Sequence, residues 1–259
     1  MKPEAARAAA SYLARAWQIG LSLPQLPPEC RPKTMADGMQ VQDALVTELD
    51  FPVGGWKVGC TSAYAQRYLK IKQPIAGRVF ATRMFDSGVT LPSTGYRVRG
   101  IEGEFAFVLG RDLPPRSKPY TRAELRAAIA AVRPAIEVID PRFTDWLKVN
   151  PASIVADMAG QAALVLGPKV PRWQTLDLRK LPVRMTVNGK TVGEGAGSEA
   201  LGDPLRVLAW LSAHLRARGG LKRGEIVSTG TCTGFHAAPA SSEVVADFGK
   251  LGEVRLTFA

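Results

Sequence analysis

Histidine and cysteine are scarce in this sequence of 259 residues. Its only histidines are His214 and His236, which argues against a histidine-rich metal site and against a histidine proton relay. The three cysteines, Cys30, Cys60 and Cys232, lie far apart and form no CxxC pair. An odd number of widely spaced cysteines predicts reduced thiols rather than a disulfide framework, and therefore a cytoplasmic protein.

Long apolar runs and several common motifs are also missing. Arg7 and Arg15 interrupt the apolar character of residues 1–21, so the start of the sequence predicts neither a secretion signal nor a transmembrane helix. There is no GxSxG, HExxH or GxGxxG motif, which excludes the usual patterns of serine hydrolases and dinucleotide-binding enzymes. Lys190 and Thr191 suggest a phosphate loop, but Arg184 stands where its first glycine should be.

The composition is that of a globular protein with an excess of positive charge. Hydrophobic residues make up 46% of the sequence, enough for a sizeable core, and the formal net charge is +11. That charge fits either a nucleic-acid surface or an anionic small substrate. The basic residues are dispersed without a run of five or an aromatic alternation, which favours the small substrate over nucleic acid.

Three glutamates are the most informative residues. The segment 100–109 alternates as a β-strand does, so Glu102 and Glu104 are predicted to share one face with only a glycine between them. Glu137 lies in a second apolar, β-like run, 135–139. Buried carboxylates repel one another unless a cation relieves them, and hard oxygen ligands favour magnesium, manganese or calcium. The alternative interpretation places all three glutamates on the wet faces of edge strands.

Two further features carry possible chemistry. Lys57 lies within a short β-like segment, where burial near a metal would lower its pKa and allow proton exchange. The alternative is a surface lysine on an edge strand. The stretch 224–234 is a strand that runs into a glycine-threonine loop, where backbone N–H groups and hydroxyls could hold a carboxylate. A plain tight turn is equally compatible with that loop.

The N-terminal part of the chain is predicted to be helical. Apolar residues at helical spacing predict a first helix over 3–19. Asp37, with Gln40 three residues later, predicts the start of a second helix. We therefore expect a helical N-terminal region over 1–52 and a larger β-roll catalytic domain over 53–259.

The remaining elements alternate between helix and strand. A capping box at Thr121 predicts a helix with an apolar face through Val132, ended by Pro134 just before the strand of Glu137. Residues 153–167 are predicted to be β structure.

Turn and capping signals mark the C-terminal half. Asn188-Gly189 predicts a hairpin turn, and Asp203-Pro204 predicts the start of a helix.

The order of several short motifs resembles that of the 2-keto-4-pentenoate hydratase group of the fumarylacetoacetate hydrolase superfamily. Each motif alone is weakly specific, but together they run in order from residue 56 toward the C-terminus. They are Trp56-Lys57-Val58-Gly59, Glu102-Gly103-Glu104, Glu137-Val138-Ile139-Asp140, Ala156-Asp157, Leu201-Gly202-Asp203-Pro204 and Ser228-Thr229-Gly230.

This resemblance implies a fold, a cofactor and a set of roles. The fold would be α+β, a mixed β-roll core preceded by a helical region and commonly assembled into oligomers. The three glutamates would bind Mg²⁺ or Mn²⁺, which would chelate the 1-carboxylate and 2-oxo oxygens of a 2-oxo acid. Lys57 would move protons. Substrate would also contact residues further along the chain, namely Asp157, Thr229, Gly230 and Thr231.

Three positions depart from the group's pattern. Hydratases of this group often carry aspartate where this chain has Ile75, and the related 4-oxalocrotonate decarboxylases often have isoleucine there. Met158 and Gly160 stand where the family frequently has asparagine and serine, so an amide and a hydroxyl are lost. The metal-binding half of the site is therefore expected to be intact, and the water-adding half altered.

The expected activity is that of a hydratase, a lyase that adds water to 2-hydroxypenta-2,4-dienoate or a similar small 2-oxo acid through a metal-bound enolate. A 4-oxalocrotonate-type decarboxylase is the first alternative, and a C–C hydrolase of acylpyruvates the next. A nucleic-acid-binding or anion-binding relative without activity is the alternative from a different class. We expect no nucleic-acid or membrane partner, and a homo-oligomer in the cytoplasm.

Overall fold

Two helices pair at the N-terminus of the computed structural model, which describes residues 1–259. The first, α1, spans Pro3–Ile19 as predicted, and α2 spans Met35–Leu49. The predicted start of α2 is wrong, because Thr34 is the N-cap. The Thr34 side chain accepts a hydrogen bond from the Asp37 backbone N–H while the Asp37 carboxylate accepts one from the Thr34 N–H, so Asp37 closes a capping box that it was expected to open.

The rest of the chain forms four short helices and two β-sheets. The helices are α3 Ala63–Tyr68, α4 Arg122–Ala128, α5 Pro151–Ala156 and α6 Pro204–His214. The strands are β1 Val53–Gly59, β2 Ile75–Phe80, β3 Met84–Asp86, β4 Val89–Leu91, β5 Gly100–Leu109, β6 Ile129–Ile139, β7 Gln161–Leu166, β8 Pro182–Val187, β9 Lys190–Ala196, β10 Ile226–Ser228, β11 His236–Ala237, β12 Ser242–Asp247 and β13 Glu253–Phe258.

The larger sheet positions the glutamates. Its strand order is β2-β1-β10-β5-β6-β7-β3, and β11 pairs with one end of β5. The sheet is mixed: β1 runs parallel to β10, whereas β5 is antiparallel to both β10 and β6. Strands β5 and β6 lie in the middle of this strand order and are almost entirely buried. Because both of their faces are covered, their sequences are nearly continuous apolar runs.

A smaller sheet packs beside the first, in the order β4-β13-β12-β8-β9. It contains the predicted hairpin, with Asn188 and Gly189 at positive φ in the turn between β8 and β9. The main hydrophobic core includes side chains of both sheets and of α6. As predicted, Asp203 caps α6, by accepting a hydrogen bond from the Leu205 N–H.

Two element predictions are wrong. Helix α4 keeps its capping box at Thr121 but ends at Ala128, and residues 129–139, including Pro134, form β6. Pairing with β5 over this whole length outweighs the helical periodicity of a short segment. Residues 151–156 are helical rather than β, because Asn150 accepts a hydrogen bond from the Ser153 N–H as N-cap and a proline follows it.

The N-terminal helices are tied to the sheet by a second core. Side chains of α1 and α2 share this core with Phe80, Phe143 and Met158. The boundary between the helical N-terminal region and the β-roll domain, at residues 52 and 53, stays a prediction. None of the helices is both long and apolar enough to cross a membrane.

Candidate metal centre

Strand register brings the three glutamates together. Glu102 on β5 lies directly opposite Glu137 on β6, and Glu104 follows two residues along on the same face. One carboxylate oxygen from each residue lies within 4.8 Å of the others. These strands are central in the sheet, so the alternative that placed the glutamates on wet edge strands is wrong.

Burial makes this cluster electrostatically costly. Glu104 and Glu137 are fully buried and Glu102 is 8% exposed. Burial, followed by the charge of Glu137, raises the pKa of Glu102 to about 7. Burial and then the two neighbouring glutamates raise the pKa of Glu104 well above its usual range. The ionised form of such a carboxylate cluster is stabilised when a cation binds to it.

The free carboxylate oxygens show where that charge would bind. Glu104 Oε2 accepts hydrogen bonds from the Ser228 hydroxyl and, at 2.9 Å, from the Gly230 N–H. Its Oε1 has no hydrogen-bond partner, and neither has Glu137 Oε2, while Glu137 Oε1 faces the Lys57 ammonium. Buried, unpartnered carboxylate oxygens that converge are the donor set of a hard divalent cation. The residues therefore fit a magnesium-like or manganese-like ion, although ligation itself stays a prediction.

Lys57 completes the charged cluster. It lies on β1, between β2 and β10, so it is not on an edge strand; it is 2% exposed. Its Nζ lies 3.0 Å from Glu137 Oε1, at ion-pair distance. The expected lowering of its pKa is not found: burial acts to lower the pKa of Lys57, but the charges of the three glutamates outweigh burial and raise it.

The glycine-threonine loop contributes mainly through its backbone. The Thr229 hydroxyl donates to the Phe105 carbonyl at 2.8 Å, and the Thr231 hydroxyl donates to the Gly234 carbonyl at 3.1 Å. Only the Gly230 N–H is directed at the glutamates. Gly230 has φ +89°, and a Cβ there would lie 2.3 Å from the Thr61 hydroxyl oxygen, so the close approach requires glycine.

Asp157 is buried but already paired. One of its carboxylate oxygens accepts from the Arg142 N–H at 2.7 Å and the other from Arg142 Nε at 2.5 Å. This ion pair holds the turn 158–160, in which all three residues have positive φ. The structure thus directs both oxygens of Asp157 at Arg142, and its predicted contact with substrate stays a prediction.

The three residues that depart from the group's pattern, Ile75, Met158 and Gly160, lie on β2 or in the turn that packs against it. Ile75 pairs with Gly59, and a Cβ at Gly59 would lie 3.2 Å from Lys57 Nζ. The turn that contains Met158 and Gly160 packs directly on β2, since a Cβ at Gly77 would lie 2.0 Å from the Met158 carbonyl oxygen.

Sequence reasoning missed Arg142, Ser228 as a partner of Glu104, and Gln161. The amide of Gln161 is fully buried, and both its nitrogen and its oxygen lack hydrogen-bond partners. A single polar residue immediately before the apolar run of β7 was the available signal for it.

A surface cavity lies away from the glutamates. It has a volume of about 470 Å³, contains none of the three glutamates, and is lined in part by Trp17, Arg83, Arg97 and Arg99. The glutamate site itself is nearly closed to solvent.

Known proteins of one family resemble this chain in sequence and in fold. The family model for the fumarylacetoacetate (FAA) hydrolase C-terminal region matches residues 77–259. A 2-keto-4-pentenoate hydratase of Burkholderia vietnamiensis is 34% identical over 207 residues, which cover 80% of this chain and 78% of that protein. A second 2-keto-4-pentenoate hydratase, from Paraburkholderia xenovorans, is 29% identical and covers 100% of this chain and 96% of its own length.

A solved structure matches the whole fold. The 4-oxalocrotonate decarboxylase of Pseudomonas putida, complexed with magnesium and adipate, superposes with a TM-score of 0.93 at 26% identity, covering 100% of this chain and 99% of that one. Another structure of that decarboxylase holds calcium and acetate. The predicted α+β fold and the predicted family are therefore confirmed. The chain belongs to the fumarylacetoacetate hydrolase family, within the group of the 2-keto-4-pentenoate hydratases and 4-oxalocrotonate decarboxylases.

Proposed function

We propose that this enzyme is a metal-dependent hydro-lyase that adds water to 2-hydroxypenta-2,4-dienoate or a similar small 2-oxo acid. The observation that carries the proposal is the convergence of three buried carboxylates with free oxygens beside a buried lysine. The 34% identity to a 2-keto-4-pentenoate hydratase supports the choice of substrate.

Glu102, Glu104 and Glu137 would hold Mg²⁺ or Mn²⁺. When bound, such an ion withdraws electron density from a 2-oxo group and favours the enolate over the ketone. The protein supports this ligand set with the Ser228 hydroxyl and the Gly230 N–H, which fix one oxygen of Glu104 and leave the other free.

Lys57 is placed to move the proton. It is the one basic side chain that lies against the carboxylates, and burial excludes water from its Nζ. Charges on the glutamates raise the pKa of Lys57, so neutralising those charges would bring it down toward the range of a general base. In the overall reaction the dienol ketonises by losing its hydroxyl proton and gaining a proton at C5, the oxygen of water then bonds to C4, C3 gains a proton, and 4-hydroxy-2-oxopentanoate forms.

The other predicted substrate contacts stay predictions. The Gly230 N–H donates to Glu104, and the hydroxyls of Thr229 and Thr231 donate to backbone carbonyls and keep their acceptor lone pairs. Asp157 acts as a positioning residue, because its pairing with Arg142 fixes the turn over β2.

A 4-oxalocrotonate-type decarboxylase is the second candidate. Ile75 beside the lysine and the match to the P. putida decarboxylase over the whole chain favour it. Both reactions share the enolate, so the metal site does not discriminate between them. An acylpyruvate C–C hydrolase and a non-catalytic anion-binding protein follow, with no structural observation that favours them. We further propose a cytoplasmic homo-oligomer that has a small anionic partner and does not bind nucleic acid.

Product analysis by NMR tests the proposal. The enzyme is incubated with Mg²⁺ or Mn²⁺ and, separately, with 2-hydroxypenta-2,4-dienoate and 2-oxohex-3-enedioate. Formation of 4-hydroxy-2-oxopentanoate from the first is the expected result. Release of carbon dioxide from the second, with no hydration of the first, would replace the hydratase by the decarboxylase.

A further inference from the structure

Gln161 lies on the same face of the sheet as the glutamates. It is the first residue of β7 and pairs with Ile139, two residues beyond Glu137 on β6. A bulge places both Ala162 and Ala163 in the main core on the other face, so Gln161 returns to the face of Glu137. A diagonal neighbour of this kind lies about 7–8 Å away between backbones, which a glutamine side chain partly spans.

The layer around Gln161 is otherwise apolar or lacks side chains. The next positions on this face beyond the glutamates are Gly59 and Ile75 on β1 and β2, and Gly100 and Ile139 on β5 and β6. None of these can form a hydrogen bond through a side chain. Among the paired strand positions of this layer, Gln161 is the one with a polar side chain.

Phe235 covers part of the layer. A Cβ at Gly100 would lie 2.3 Å from a ring carbon of Phe235, so the phenylalanine lies over the glycine on the glutamate face. Phe235 is 40% exposed and its ring lies 5.8 Å from that of Trp146. The Phe235 ring therefore lies between Gly100 and solvent.

No hydrogen bond within the protein accounts for the burial of the Gln161 amide. Both amide atoms are buried and neither forms a hydrogen bond, a costly arrangement that an apolar side chain of the same size would avoid. Gln42 is the contrast. Its buried amide donates to the carbonyls of Ala76 and Val155, at 2.8 Å and 2.5 Å, and so joins three elements of the fold.

The backbone of Gln161 is nevertheless held firmly. Arg142 Nη1 donates to its carbonyl at 2.8 Å, and the same guanidinium is paired with Asp157. A fixed backbone with a free amide is the arrangement expected of a side chain that binds a ligand.

We propose that Gln161 is a positioning residue that orients the water molecule for addition to C4 of the substrate. This inference rests on the proposed hydratase function. A 2-oxo acid anchored at the glutamates extends its far carbons along the layer where Gln161 is the polar group. The amide oxygen accepts a hydrogen bond from the water, and the amide nitrogen donates one to the new hydroxyl. This amide takes the place of the polar groups lost at Ile75, Met158 and Gly160.

The step balances without an oxidant or reductant. Ketonisation first moves the proton of the C2 hydroxyl to C5 and leaves a C3=C4 double bond conjugated with the C2 carbonyl. The water oxygen then forms a bond to C4, and the electrons of the C3=C4 double bond move toward that carbonyl. One proton leaves the water for a basic group or solvent, and one proton is added at C3. Gln161 gains and loses no atom.

Gln161→Met, with Gln161→Leu as a second apolar variant, tests this role. Both variants remove the amide and keep the volume. We expect hydration of 2-hydroxypenta-2,4-dienoate to fall about 100-fold, since mispositioning of one reactant costs that much. Three other properties should remain: the Mg²⁺ affinity, the Tm, and the Mg²⁺-dependent exchange of the C3 hydrogens of 2-oxopentanoate with D₂O. This exchange requires the enolate but no added water.

Gln42→Met is the matched control. It removes a buried amide of the same type that is outside the site, and it leaves two backbone carbonyls unpaired. Its Tm should fall, whereas the Tm of the Gln161 variants should stay level or rise.

Four results separate the outcomes. Wild-type hydration rates in Gln161→Met would overturn the inference alone. An equal loss of hydration and of C3 exchange would also overturn it, as would a fall in Tm like that of Gln42→Met. A wild-type enzyme that exchanges C3 hydrogens but does not hydrate would refute the proposed hydratase, and the role of Gln161 with it.

Discussion

Replacing Glu104 with glutamine should stabilise the metal-free protein and abolish its response to magnesium. Three carboxylates lie against one lysine, so the ionised cluster carries a net charge of about −2. E104Q removes one negative charge without removing its contacts. A glutamine oxygen can still accept from the Ser228 hydroxyl and the Gly230 N–H. Because burial and the neighbouring glutamates raise the pKa of Glu104, its ionised form is the costly one.

The opposite effect is expected in the presence of metal. An ion that binds only the folded state at 100 times its Kd stabilises that state by about 2.7 kcal/mol. For a chain of this size, that corresponds to a rise in Tm of roughly 5–11 °C. In E104Q the third charged ligand is gone, so the rise should nearly vanish although the metal-free Tm equals or exceeds that of the wild type.

Differential scanning calorimetry with and without MgCl₂ measures both effects. Glu253→Gln is the control, because Glu253 is an exposed glutamate on β13, paired with Arg255 and outside the site. It should keep the magnesium response of the wild type. A full magnesium response in E104Q would refute the metal assignment, and a lower metal-free Tm in E104Q would refute the reasoning from repulsion.

Three further variations test the rest of the site. Lys57→Met leaves Glu137 without its cation, so the metal-free protein should lose about 3–5 kcal/mol in urea unfolding, and C3 exchange should fall at least about 100-fold; unchanged exchange would remove Lys57 from the chemistry. Burial and Glu137 raise the pKa of Glu102 to about 7, so its carboxyl is protonated near pH 5.5 and Mg²⁺ must displace that proton. The magnesium-induced rise in Tm should therefore grow from about pH 5.5 to 8, while the metal-free Tm falls as the carboxyl ionises; a rise in Tm that ignores pH would contradict this. Gly230 has φ +89°, and Gly230→Ala adds a Cβ 2.3 Å from a threonine hydroxyl oxygen, so this variant should weaken Mg²⁺ binding in calorimetric titration. Gly88→Ala is the control: Gly88 has φ +94° but lies in open space, so its substitution should strain the backbone and leave the Mg²⁺ affinity unchanged.

Local sequence patterns were reliable where a short-range signal determined the outcome. The first helix, the hairpin at Asn188 and the cap at Asp203 are all fixed by neighbouring residues, and all were confirmed. The predictions for 129–134 and 151–156 were wrong for different reasons. In the first, pairing with β5 outweighed a local helical pattern. In the second, the cap at Asn150 and the proline at the first helical position outweigh the β-like run that follows them.

The sequence by itself determined the family, the fold class and the pairing of Glu102 and Glu104 on one face, since alternation and motif order are properties of the chain alone. Only the tertiary structure decided what each polar group meets. Glu137 enters the site through register across β5 and β6, Lys57 reaches Glu137 from three strands away in the sheet, and Asp157 is directed at Arg142. The free amide of Gln161 results from a bulge. Burial and long-range pairing arise between segments far apart in sequence, so no local pattern encodes them.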